Sequence, residues 1–88
     1  MLYVIESSNN LYKIGISNNP LKRLNQLQVG NGEKLKMVAM LNVQNEKITE
    51  KRIHSMLWQN KSIFGRNNEW FKLSNELLNW LLEYLQTC

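Results

Sequence analysis

Residues 12–23 read YKIGISNNPLKR, and this stretch decides the fold. Tyr12, Lys13 and Ile14 alternate in type as a half-buried strand does, and Gly15 lies inside that pattern. An isolated glycine in a strand marks a bulge or a close approach to the backbone. Asn19-Pro20 then starts a helix. The Asn side chain can accept from the unpaired amides of the first turn, and the fixed φ of proline suits the first helical position. Leu21, Leu24, Leu27 and Gln28 follow at helical spacing, which predicts a helix over roughly 19–28, ended by Gly30-Asn31-Gly32. A strand thus runs directly into a capped helix, with Lys13, Gly15 and Arg23 on the two sides of the junction.

Working outward, residues 2–6 (LYVIE) are rich in β-branched and aromatic types, and the intervening SSNN supplies turn chemistry. A β-hairpin follows, with Tyr3 and Ile5 on one face. Tyr12 shares a face with Ile14, and Lys13 points the other way with Leu11 and Gly15. Residues 35–41 (LKMVAML) predict a third strand. Residues 46–60 predict an amphipathic helix starting near Asn45 or Glu46, with Ile53, Met56 and Leu57 on its apolar side. Gly65–Asn68 reads as a polar loop, and EWFKL at 69–73 as either a strand or a packed turn. Ser74 or Asn75 can cap a last helix over 75–86, whose Leu77, Leu78, Leu81, Leu82 and Leu85 form a broad apolar stripe. The order is β-β-α-β-α-(β)-α, a small α+β sheet with helices on it.

Eighty-eight residues make a single domain over 1–88, with a small but genuine core. No apolar run approaches a membrane span, and the N-terminus lacks the basic segment and cleavage site of a signal peptide. Cys88 stands alone, which excludes an internal disulfide and points to a reducing, intracellular setting. Eleven basic residues against seven acidic ones give a net charge of +4, suited to an anionic partner and above all to nucleic acid. All seven acids are Glu, so any carboxylate-bound cation must use Glu.

Several side chains could carry chemistry, and each has a plain structural alternative. Tyr3 and Tyr12 can be packing residues, or a tyrosine near cations can accept a proton from water. Lys13 can be an exposed strand lysine, or a point charge beside a phosphate. Arg23 borders the packed face of its helix, and its planar fork matches two phosphate oxygens. Lys22 beside it reads as surface or as a backbone-contacting cation. Glu50 and His54, four apart, lie one above the other on the second helix. They form either a stabilising pair or a metal carboxylate with a histidine that orients water or meets phosphate. E-x-x-x-H is not the H-E-x-x-H zinc motif, and the cysteines for a structural zinc site are missing.

In order along nearly the whole chain, these segments resemble the GIY-YIG nuclease superfamily, in the compact phage and bacterial branch whose second motif reads KIG. LYVI at 2–5 resembles the first motif and places its tyrosine on Tyr3. Lys13-Ile14-Gly15 falls on YIG, Arg23 on the catalytic helix arginine, Glu50 on the metal-binding glutamate and His54 on the branch histidine. EWFKL resembles the closing motif, with Trp70 and Phe71 structural. Lys13 replaces the second tyrosine of the wider superfamily, and its late asparagine has only Asn67 and Asn68 as candidates.

The resemblance implies a three-stranded antiparallel sheet flanked by helices and a Mg²⁺- or Mn²⁺-dependent site on one sheet face. It implies a DNA endonuclease that nicks, in the bacterial cytoplasm or a phage-infected cell. Tyr3 is then the base or water orienter, and Arg23 steadies the scissile phosphate. Lys13, Lys22 and Arg23 contact DNA, and Glu50 holds the one metal. The alternatives are a non-catalytic nucleic-acid-binding or regulatory protein on the same scaffold, and an interaction domain that uses exposed tryptophans. The chain leaves no room for a separate recognition domain. Sequence specificity is therefore expected to be weak, to come from homo-oligomerisation, or to be delegated to a partner protein.

Overall fold

A computed structural model describes residues 1–8, 10–57 and 70–87. The alternating segments at the start of the chain form β1 (Leu2–Ser7) and β2 (Leu11–Ile16), an antiparallel hairpin. Its register sets Tyr3 opposite Gly15, Ile5 opposite Lys13 and Glu6 opposite Tyr12. That pairing runs unbroken through Gly15. Among the described residues, the one register shift of the sheet lies between Val4 and Ile5, where β1 meets β3 (Lys36–Leu41). Gly15 is therefore a site of close approach and not a bulge.

α1 (Pro20–Val29) begins as its sequence requires: Asn19 Oδ1 accepts from the Lys22 amide at 3.2 Å, with Pro20 in the first turn. Gln28 fastens the following loop, accepting from the Leu35 amide at 2.7 Å and donating to the Glu33 carbonyl at 2.8 Å. α2 covers Glu46–Met56. Leu57 caps it, and residues 58–60 of the expected 46–60 lie outside the described residues. α3 covers Asn75–Gln86, capped by Ser74, whose hydroxyl accepts from the Leu77 amide at 3.2 Å.

The EWFKL segment resolves as a strand: Trp70–Lys72 form β4, paired antiparallel with Leu11–Lys13 of β2. The sheet thus has four strands in the order β3-β1-β2-β4, one more than the resemblance implied. The α+β class and the element order are as expected. Side-chain alternation gives the sheet two faces. On one, Leu2, Val4, Tyr12, Ile14 and Phe71 pack with Ile53 and Leu57 of the α2 end and with Leu73, Leu81 and Leu85 at α3. On the other, Tyr3 and Ile5 pack with Leu35, with Leu24 and Leu27 of α1 on top. Full burial of one such aliphatic or aromatic side chain contributes about 1.5–3 kcal/mol, so the first face supplies most of the apolar stabilisation. No helix among the described residues is long and apolar enough to cross a membrane.

Candidate functional site

The smaller face collects the polar groups. Tyr3 is 2% exposed and lies directly over Gly15. A Cβ built on Gly15 would stand 2.6 Å from the Tyr3 hydroxyl and 2.7 Å from Cζ, so the glycine is the cradle of the phenol. Lys13 is on the same face, diagonal to Tyr3 across the hairpin, within the reach that long side chains have along a sheet. It is only 1% exposed, which corrects the expectation of an exposed strand lysine. Burial follows from β4, because Trp70 is its cross-strand partner and the Lys13 Nζ sits 5.8 Å from the centre of that indole. A cation over an indole face at that range is attracted by the ring's electron density, more strongly where water is excluded. Trp70 in turn packs against the Tyr3–Ile5–Leu35 cluster. No buried side-chain nitrogen or oxygen among the described residues lacks a hydrogen-bond partner.

α1 brings Arg23 to this face. It precedes Leu27 by four residues and therefore lies one turn from a residue packed on the Tyr3 cluster. The Arg23 side chain is half-buried, and among the described residues its guanidinium makes no ion pair or side-chain hydrogen bond. Lys22, next to it, is exposed.

Glu50 and His54 reach the region from the opposite layer. Thr49, Ile53 and Leu57 turn α2 and its C-terminal end into the core, which leaves Glu50 and His54 half-buried on one flank. That flank is moored to β2: His54 Nε2 is 2.9 Å from the Ile14 carbonyl oxygen, and its ring contacts Phe71 at 5.1 Å. A carbonyl only accepts, so Nε2 carries the proton and donates, which leaves Nδ1 as an acceptor for a donor such as water. The mooring point is informative. Ile14 follows Lys13, the last residue of β2 with a described partner in β4, so α2 meets β2 next to that pairing. Tyr3, Gly15, Lys13 and Trp70 therefore share one face, covered by the helix that carries Arg23, while Glu50 and His54 lie on α2, in the layer on the other face, beside β2.

The chain matches the T5orf172 domain over residues 1–86. It belongs to that family. The family is associated with phage endonucleases of GIY-YIG-like or HNH type, and the fold of this T5orf172 domain is compatible with a GIY-YIG-like one. No curated protein and no solved structure matches the chain.

Two tyrosines of this T5orf172 domain have separate fates. The Tyr12 hydroxyl donates to Glu6 Oε2 at 3.0 Å on the larger face. Burial, then the hydrogen bond and the negative charge of Glu6, push its pKa above the ordinary value near 10. It is a poor base and a good core residue. Trp70 and Phe71, adjacent in sequence, point to opposite faces, and Phe71 is wholly buried. Asn67 and Asn68 lie outside the described residues. Sequence reasoning missed Trp70 as the wall against Lys13, since only the pairing of β4 with β2 sets the two side by side.

Among the described residues, no three His, Cys or Glu side chains form a ready-made metal cage. A single carboxylate is nonetheless a fitting donor for Mg²⁺, which keeps several waters and takes one or two carboxylates together with substrate phosphate oxygens. The donor set suits an ion shared with substrate, not a structural one.

Proposed function

We propose that this T5orf172 domain is a divalent-metal-dependent DNA endonuclease of the GIY-YIG type, which hydrolyses a phosphodiester and nicks one strand per active site. The observation that carries the proposal is Arg23, a half-buried guanidinium without a carboxylate partner among the described residues, beside the face of Tyr3 and Lys13. A group with five fixed donors in that setting is suited to a bidentate anion such as phosphate.

In this mechanism Tyr3 acts as the phenolate, favoured by the nearby cations. Its oxygen orients the attacking water and takes one proton from it as the new P–O bond forms, while the old P–O bond breaks and the leaving oxygen takes a proton from solvent. Arg23 holds two non-bridging oxygens and neutralises the charge that grows there. Lys13 adds a fixed positive charge from inside the face, so it acts on the site from below rather than gripping the duplex from outside. His54 holds the Glu50 flank of α2 against β2 through the Ile14 carbonyl. Glu50 would hold Mg²⁺ or Mn²⁺, which when bound supplies Lewis-acid polarisation of the phosphate and stabilisation of the leaving oxygen.

The test is supercoiled plasmid incubated with protein and Mg²⁺ or Mn²⁺, beside Glu50→Ala and Arg23→Ala. Metal-dependent nicking by the natural chain, lost in both folded variants, is the expected result. Equal nicking by Glu50→Ala would sink the proposal. Binding without cleavage, weakening as salt rises, would select the non-catalytic nucleic-acid-binding protein instead.

A further inference from the structure

The flank of α2 that carries Glu50 and His54 carries two more groups that the mechanism does not use. Lys47 lies three residues before Glu50, and Lys51 three before His54; Lys47 and Lys51 are themselves four apart. On a helix, separations of three and four are surface neighbours. The four side chains therefore form a small lattice, with Glu50 and His54 toward the sheet and the lysines outside them. Burial follows that order: Thr49 and Ile53 are buried, Glu50 and His54 intermediate, Lys47 and Lys51 exposed. Neither lysine pairs with a carboxylate among the described residues, and Glu46, the acid nearest to Lys47 in sequence, is paired with the Met1 ammonium at 2.8 Å.

On this basis, and resting on the endonuclease proposal, we infer that Lys47 and Lys51 form a phosphate-binding row for duplex DNA alongside the cleavage site. Mooring of His54 to Ile14 fixes the direction of the row relative to β2. β2 leads within four residues into α1, whose first turns bear Lys22 and Arg23. α2, which touches β2, and α1, which follows β2 in the chain, thus both bear cations. The two lysines are separated by about 6 Å along the helix, roughly two phosphate steps of one strand along the duplex axis. Their flexible ammonium groups add affinity without reading bases. Lys34 and Lys36 are equally exposed but lie beyond the far end of α1, on the loop and strand at the other edge of the sheet.

That contrast makes the test. Anisotropy of a labelled DNA duplex, titrated with salt in the absence of metal, is compared for the natural chain, Lys47→Ala/Lys51→Ala and Lys34→Ala/Lys36→Ala. The two double variants carry the same net charge. The α2 pair should lower the slope of log affinity against log salt by about two and weaken binding about tenfold near physiological salt. The Lys34/Lys36 pair should change the slope by less than half as much. Lys47→Arg/Lys51→Arg should restore the natural slope, and nicking at saturating DNA should stay within about twofold of the natural rate in every variant.

Equal effects of the two alanine pairs, or none from the α2 pair, would overturn the row while leaving the endonuclease proposal intact if nicking still requires Glu50. Dependence on the α2 pair together with full nicking by Glu50→Ala would keep the row and remove the endonuclease. Failure of the natural chain to bind DNA would overturn both. Tighter, equally lysine-dependent binding of single-stranded RNA would overturn duplex DNA as the occupant.

Discussion

The two faces of one sheet are built on opposite principles. Toward α2 and α3, ten buried residues interlock, and the one phenol among them is tied to Glu6. Toward α1, three buried residues make a thin apolar floor, and around it stand Lys13, Trp70, the Gly15 cradle and Arg23. Because neighbouring residues on a strand face opposite ways, an 88-residue chain can keep its larger apolar core and its buried lysine and tyrosine on opposite sides of a single β-layer. The lesson is that adjacent residues such as Tyr12 and Lys13, or Trp70 and Phe71, belong to different physical problems.

The sharpest way to break this division is Arg23→Ala. Nicking should fall about 10²–10³-fold, the usual cost of removing one transition-state charge stabiliser. The melting temperature should hardly move, since the guanidinium has no partner to lose among the described residues. A large drop in thermal stability would place Arg23 in the fold rather than the site. The converse is Ile53→Ala on the other face. Removing that wholly buried side chain should cost about 2–5 kcal/mol in urea unfolding, by lost transfer energy and a residual cavity. Below its melting point that variant should still nick.

Gly15→Ala tests the junction of the two principles. The added methyl would strike the Tyr3 hydroxyl and ring in a place where Tyr3 has no room to retreat. We expect a stability loss of about 1–3 kcal/mol from overpacking, with a further loss of nicking at temperatures where the variant is folded. Nicking at the natural rate, in a folded Gly15→Ala variant, would show that the position of the Tyr3 phenol is irrelevant.

Tyr12→Phe should have the smallest effect, about 1 kcal/mol for one hydrogen bond, and no effect on nicking. It also carries a pH signature. The folded-state phenol titrates above the ordinary value near 10, so its contribution to stability is complete below that pH. It is lost as pH rises through the folded-state value. Alkaline denaturation profiles should therefore be flatter for Tyr12→Phe. An unchanged alkaline slope would mean that Tyr12 is not the responsible group.

Much of this was legible in the chain because it is local. The hairpin, the Asn19-Pro20 helix start and the Ser74 cap each depend on a few neighbouring residues whose side chains satisfy nearby backbone groups. Strand alternation alone divided Tyr3 from Tyr12 and put Lys13 with Gly15. The end of α2 was less legible, because Leu57 continues the apolar periodicity one residue past the helix and marks no stop.

What only the tertiary structure decided are relations between distant segments. The pairing of β4 with β2 turned a strand-or-turn alternative into a fourth strand, and by placing Trp70 opposite Lys13 it buried a lysine that alternation alone leaves on an open face. The seat of the Tyr3 phenol on Gly15 depends on hairpin register, and the bond of His54 to Ile14 spans forty residues. Local sequence sets the direction in which a side chain points, because that is fixed by backbone geometry within a few residues. What it meets there is set by which surfaces the whole chain buries together, and no single segment contains that information.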